Sequence, residues 1–211
     1  MELIERNPVD MVDVPKGGSV TKARVLSASE LRAYLAAARS ERLYAAFYVM
    51  ASLGLRVGEA LGLQWDDFDG EVLAIRRTLR VVANRPSFGP PKTDRGWRSI
   101  YLPGDVLGVL DEHLQDQAME RSVAVSWEDE LGLVFTSARG TPINHNNFRR
   151  VHRRVIARAG VPSIRVHDLR HTYITLARDA GVDAEVLANR VGQDVRVTMR
   201  IYSQVTEARK R

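Results

Sequence analysis

His167-Asp168-Leu169-Arg170-His171-Thr172-Tyr173 is the stretch on which the reading of this chain turns. Apolar spacing predicts a helix over His167 to Ala180. Residues three and four apart share a helix face, so His167, Arg170 and His171 point the same way. Three readings fit such a face. A histidine pair at i and i+4 can hold a metal, but the usual helical zinc arrangement has glutamate directly after the first histidine, where Asp168 stands, and no evident third ligand follows. An arginine with a histidine can instead donate to the oxygens of a phosphate. A capped amphipathic helix with no ligand is the third.

Working outward, Leu53-Gly54-Leu55-Arg56-Val57-Gly58-Glu59-Ala60-Leu61 places one arginine between two glycines. Here a helix over Leu43 to Leu53 should stop at Gly54 and a short one, Val57 to Leu61, should follow. Glycines permit close backbone approach, and an arginine at a helix start can meet a phosphate beside free amides. Glu59, three residues on, can brace Arg56 from behind. A helix end followed by a surface arginine fits the same residues. Near the other end stands Thr198-Met199-Arg200-Ile201-Tyr202, on a last short helix around Thr198. Tyr34, Tyr44, Tyr48 and Tyr173 fall on apolar helical stripes and Tyr101 in an expected strand. Tyr202 is therefore the tyrosine least explained by a core.

Composition bounds the rest. Over 211 residues, 45% hydrophobic and 27% charged side chains suffice for a packed core and argue against a disordered chain. That length allows one large domain or two small ones. No run of about 18 uncharged apolar residues occurs, so no spanning helix is expected. With no cysteine, a disulfide scaffold, a thiolate metal site and a cysteine nucleophile are excluded, which fits a reducing cytosol. A formal charge of +5 favours a polyanion only in a general way. Its distribution says more. From Arg139 to Arg170 eight arginines stand against one acid, Asp168. The planar arginine fork suits phosphate, although a solvated helix face carries the same run.

Residues 1–24 hold Pro8, Pro15 and Gly17-Gly18 without apolar periodicity, and read as a linker or leader but not a signal peptide. Ser27-Ala28-Ser29-Glu30 has the form of a capping box that opens a helix. Glu71 to Val82 reads as one or two strands, Arg85 to Pro91 as a loop, and Arg98 to Leu102 as a strand. Asp105 to Arg121 returns to helical spacing, Leu133 to Thr136 reads as a short buried strand, and helices are expected over Asn144 to Ala159 and Asp183 to Val191. The fold class is mainly α with one small antiparallel β-sheet inserted after the first third (α+β).

LGLRVGEALGLQW, then Pro91-Lys92-Thr93, then HDLRHTY, then Val191-Gly192-Gln193, then Tyr202 nine positions after Gln193, occur in that order. Each motif is weak alone. Together they resemble the catalytic domain of the tyrosine recombinases, the phage integrase family, from about Val25 to about Tyr202. The resemblance implies a DNA breaking-rejoining domain over residues 25–211. It matches Arg56 to the first catalytic arginine, Lys92 to a mobile catalytic lysine, His167 and Arg170 to the His-x-x-Arg pair, and Tyr202 to the nucleophile. Glu59 and His171 match supporting positions. Gln193 stands where the family usually has His or Trp. A neutral donor there should weaken transition-state binding by about 1–3 kcal/mol without abolishing activity.

The implied activity is site-specific recombination of double-stranded DNA through a 3′-phosphotyrosyl intermediate, with no metal, ATP or other cofactor. Its chemistry asks for these residue types. Tyrosine attack on a phosphodiester builds negative charge on the non-bridging oxygens, which two arginine forks stabilise. A phenol of pKa about 10 needs a base, for which His167 is the candidate, and the leaving 5′ alkoxide needs an acid, for which Lys92 is the candidate. The helix from Asn144 to Arg158 would feed the DNA surface through Asn146, Asn147, Arg149, Arg150, Arg153 and Arg154, mostly to phosphates. The resemblance further implies a tetramer on DNA, with a monomer open to the isolated domain, no membrane, and a prokaryotic or phage-infected cytoplasm. Because family members carry an N-terminal core-binding domain and this chain starts in what resembles the preceding linker, a fragment is expected. Three alternatives stay open: a type IB topoisomerase, a DNA-binding regulator that kept the fold and lost the chemistry, and a histidine-metal hydrolase that binds zinc.

Overall fold

The computed structural model describes residues 24–82 and 85–209. The expected leader over residues 1–24 therefore lies, Arg24 apart, outside the described residues.

The first described helix begins where the capping box predicts. Ser27 caps α1 (Ala28–Ala38), its side chain accepting from the Glu30 amide while Glu30 accepts from the Ser27 amide at 2.7 Å. Next come α2 (Tyr44–Leu53), ending at Gly54 with φ 66°, and α3 (Val57–Leu61). Strands β1 (Phe68–Asp69), β2 (Val72–Ile75) and β5 (Arg98–Tyr101) form an antiparallel sheet in the order β1-β2-β5, with Leu73 opposite Ile100. The chain closes with α4 (Gly104–Val123), α5 (His145–Ala159), α6 (Asp168–Asp179), α7 (Ala184–Val191) and α8 (Val195–Arg209).

Four sequence expectations need correction. Arg85 to Gly89 is no loop but strand β4, paired with β3 (Thr78–Val82), so the described residues form two small sheets instead of one. Pro86 is tolerated because a strand paired on one side can leave a missing N–H off the ladder. Leu133 to Thr136 is buried as expected but makes only isolated bridges, Gln64 to Leu133 and Thr136 to Pro142. Side chains of α4 take the place of a neighbouring strand. Gln117 Nε2 donates to the carbonyls of Leu133 and Val134 at 3.1 and 3.0 Å, and His113 Nε2 lies 2.7 Å from the Val134 carbonyl. Finally, the last helix is not short: α8 runs fifteen residues.

Almost every side chain of α2 is apolar, and most of them are buried, so this helix is the centre of the core. Phe47 meets Tyr34 of α1 edge-on at 5.9 Å and Phe148 of α5 at 4.6 Å. The backbone of α3 lies directly on β3: a Cβ at Gly58 would sit 2.4 Å from Thr78 Oγ1 and 2.7 Å from the Leu79 carbonyl. A second, smaller cluster of Ile174, Leu187 and Val191, with Tyr173, Ala177 and Ile201 against it, joins α6, α7 and α8. Helix α6 contributes Leu169 to the main core and Ile174 to the small one, so Arg170 lies at the seam. Among the described residues no helix is long and apolar enough to cross a membrane.

Tyr34 and His152 form a buried polar pair. The Ile164 carbonyl can only accept, so His152 Nε2 donates to it at 2.9 Å and Nδ1 must accept from Tyr34 Oη at 2.8 Å. Burial holds His152 and His113 below their ordinary 6.5. The unfolded chain therefore binds more protons as pH falls through 6.5, so urea-denaturation stability should decline between pH 7 and about 5.5. Tyr34→Phe should cost about 1–2 kcal/mol by the same measurement, because Nδ1 loses its donor. An unchanged midpoint would contradict the pair.

Candidate active site

Arg56 is the N-cap of α3, in extended backbone with φ −70° and ψ 149°. Its side chain turns back, as the three-residue spacing predicts. Arg56 Nη1 donates to Glu59 Oε1 at 2.6 Å, Nη2 donates to the Gly192 carbonyl at 3.1 Å, and its backbone amide donates to Glu59 Oε2 at 3.0 Å. Glu59 is 2% exposed. Burial raises its pKa, but Arg98 and Arg56 outweigh that and hold the carboxyl below its ordinary value.

Arg170 is 1% exposed, although no other large charged side chain in the core is as deep. Its Nη1 donates to the Gly54 carbonyl and its Nη2 to the Val191 carbonyl, each at 2.7 Å. Gln193 Oε1 accepts from Nη2 at 2.8 Å. Arginine only donates, so it fixes the Gln193 amide with oxygen inward and leaves its NH2 as a donor for something else. Burial first, then Arg56, lowers the Arg170 guanidinium to about 9, still charged at neutral pH. The two arginines thus meet: both are fastened to the corner Val191-Gly192, and Arg170 reaches across to the Gly54 carbonyl two residues before Arg56.

His167 caps α6 and stays open to solvent. Its ring meets His171 edge-on at 4.8 Å. Desolvation by the surrounding protein, then His171 and Arg170, lower its pKa, so the ring is neutral at pH 7 and can accept a proton. His171 Nδ1 lies 3.2 Å from Asp168 Oδ1. Asp168 also accepts from the Arg165 amide and guanidinium; although burial raises its pKa, these partners hold it well below the carboxylate range.

A single open cleft is lined by Arg56, Lys92, His145, His167, Thr78 and Arg80. Lys92 follows β4 and Pro90-Pro91, and is exposed. Arg56, Lys92 and His167 are therefore brought together, with Arg170 and Gln193 fastened behind them. Tyr202 is not. It sits on α8 with Arg178 5.7 Å over its ring, and Arg178 lies eight residues, about 12 Å, along α6 from Arg170.

On α5, Arg149, Arg150 and Arg153 are exposed, as is Asn146, whose Oδ1 accepts from Arg149 at 3.2 Å. Arg154 is exposed as well and pairs with Glu41, as does Arg158. Asn147 lines a neighbouring groove with Arg154.

Sequence reasoning missed Arg98 and His145. Arg98 sits on a strand, where one more charged residue carries no signal of burial. Its Nη2 donates to Glu59 Oε2 at 2.9 Å, its Nε to the Arg190 carbonyl at 2.8 Å and its Nη1 to the Gly96 carbonyl at 2.9 Å. His145 opens α5 after the expected helix start and was hidden among the arginines. Burial and Arg149 lower its pKa.

The pattern of the phage integrase family matches residues 24–209. The chain belongs to the phage integrase family. A tyrosine recombinase XerC-like protein of Caldanaerobacter subterraneus subsp. tengcongensis is 31% identical over 205 residues, 90% of this chain and 52% of the relative. An integrase of Streptomyces ambofaciens is 30% identical over 94% of this chain and 54% of its own length. This integrase-family chain thus spans about half the length of these curated relatives. The Tn1549 transposon integrase, solved with a circular-intermediate DNA, shares its fold with TM-score 0.74 at 17% identity over 98% of this chain and 69% of that one. XerA recombinase does so with TM-score 0.68 at 22% identity over 93% and 66%. The mainly helical architecture with small antiparallel sheets is therefore the family's fold.

The electrostatics give a direct test. In an NMR pH titration, the His167 ring of this integrase-family domain should titrate with a midpoint below 6.5. A midpoint at or above that value would mean that neither desolvation nor the positive groups beside it lower the ring's pKa.

Proposed function

We propose that this domain cleaves and rejoins double-stranded DNA at specific sites, through a 3′-phosphotyrosyl ester and without metal or ATP. The observation that carries the reading is the meeting of Arg56 and Arg170 behind a cleft that also holds Lys92 and His167. A site with several fixed cations and one buried carboxylate, open on one side, suits a phosphodiester whose charge grows on the way to the transition state.

In this reading a scissile phosphate enters the cleft and its non-bridging oxygens take N–H donors of Arg56 and Arg170. Three of the five Arg170 N–H groups donate to protein oxygens, one of them to Gln193, so the remaining Nε and Nη1 donors are the ones a phosphate oxygen would take. The Gln193 NH2 then donates to the same phosphate. Tyr202 attacks phosphorus as neutral His167 accepts the phenolic proton, and Lys92 protonates the departing 5′ oxygen. The ester conserves the bond energy, so attack by a 5′ hydroxyl reverses the step and rejoins the strand. Tyr202 lies over Arg178, so the reaction requires α8 to bring it to the cleft once DNA is bound.

Exchange between two duplexes cuts four strands. With one tyrosine per copy, that asks for four copies, a tetramer on DNA that the isolated domain need not form alone. Arg149, Arg150 and Arg153 would contact backbone phosphates in the cytoplasmic DNA target, with Asn146 beside them.

A nicked suicide duplex should trap a covalent adduct, and peptide mapping should place the DNA on Tyr202. Tyr202→Phe should abolish the adduct with DNA affinity within about threefold, because phosphate contacts supply the binding. An adduct on another residue, or its persistence in Tyr202→Phe, would overturn the nucleophile. Gln193→His should keep or raise the cleavage rate; a loss of about tenfold or more would show that its neutral amide is needed.

A further inference from the structure

No step above uses Arg98, yet its side chain is only 7% exposed and touches three segments of the site. We infer that Arg98 is a positioning residue that fixes the Glu59 carboxylate and, through it, the Arg56 fork in register with Arg170. The inference rests on reading the cleft as the site of DNA cleavage.

Glu59 supplies the argument. Each of its oxygens accepts once from Arg56 and once from Arg98. Oε1 takes Arg56 Nη1 at 2.6 Å and Arg98 Nη1 at 3.4 Å; Oε2 takes the Arg56 amide at 3.0 Å and Arg98 Nη2 at 2.9 Å. A carboxylate held from one side can turn about its last bond, whereas one gripped from both sides cannot. Arg98 is itself anchored. Nε donates to the Arg190 carbonyl in the last turn of α7, and Nη1 donates to the Gly96 carbonyl in the turn that leaves Lys92 for β5. Gly192 closes over it with φ 63°; a Cβ there would lie 2.8 Å from Arg98 Nη1 and 2.6 Å from the Arg95 carbonyl. The carbonyl of that same glycine accepts from Arg56. The wall that confines Arg98 is thus the wall that orients Arg56. A lysine at this position could neutralise Glu59 but could not span all three segments, because only the guanidinium presents a planar fork.

A double-mutant cycle on the full chain separates this role from simple packing. The readout is the single-turnover rate of adduct formation on the nicked duplex at saturating DNA, alongside DNA affinity and thermal unfolding. Arg98→Met should slow the rate by about 100-fold, the scale of losing one oriented donor to the transition state. DNA affinity should stay within about threefold. Arg98→Lys, which keeps the charge and guards against a variant that fails to fold, should recover about tenfold of that loss. On a Glu59→Gln background, Arg98→Met should cost no further than about threefold, because the pair acts as a unit. An unchanged rate in Arg98→Met overturns the inference. So does a full further loss on the Glu59→Gln background, or affinity falling in step with rate. Absence of any adduct from the unsubstituted chain would instead overturn the reading of the cleft on which the inference rests.

Discussion

The backbone carbonyls at the C-termini of α2 and α7 are the constraint on which the site depends. The last turns of a helix leave carbonyls without intrahelical partners, at the negative end of its dipole. Here those carbonyls are taken by side chains brought from elsewhere. Arg170 donates to Gly54 beyond α2 and to Val191 at the end of α7, while Arg56 donates to Gly192 just after it. Two like charges that would repel are held near one another by the same carbonyls they satisfy. The chain ends two of its helices and builds an anion-seeking site in one arrangement, which explains how a guanidinium can be 1% exposed in the seam between two apolar clusters.

That arrangement sets the charge of its surroundings. Arg56, Arg98 and Arg170 share one buried carboxylate, Glu59. The surplus is positive, and the open side of the cleft adds Lys92. Desolvation first, and then His171 and Arg170, keep the His167 ring neutral, so a group that could have been one more cation is instead able to accept a proton. In the proposed reaction tasks separate by depth: Arg170 is buried and fixed, and His167 and Lys92 stand on the open side of the cleft.

Much of this was legible in the sequence. Helical spacing placed α1, α2, α4, α5 and α6, because apolar periodicity is the quantity that packing selects. The three-residue offset of Arg56 and Glu59 foretold their bond, since it is local. What failed was what tertiary contact decides. The prolines and glycine of Arg85 to Pro91 read as a loop, but pairing with β3 made a strand of Arg85 to Gly89. Leu133 to Thr136 read as a strand, but α4 side chains satisfied its carbonyls and no ladder formed. In the site, Arg98 was invisible because nothing in a strand sequence says that one arginine will be buried against a glutamate thirty-nine residues away. The ion pair of Arg154 with Glu41, on the turn before α2, was likewise invisible in its run of arginines.

The central claim is that Arg56 and Arg170 act together on the charge of a phosphodiester. The most direct measurement compares cleavage of an ordinary nicked duplex with one carrying a neutral methylphosphonate at the scissile position, for the unsubstituted chain and for Arg170→Ala. On the ordinary duplex at saturating concentration, Arg170→Ala should lose about 100-fold or more in rate, and on the neutral duplex the loss should shrink to about tenfold or less. Equal losses on both substrates would mean that the guanidinium does not answer to the phosphate's charge, and would contradict the account.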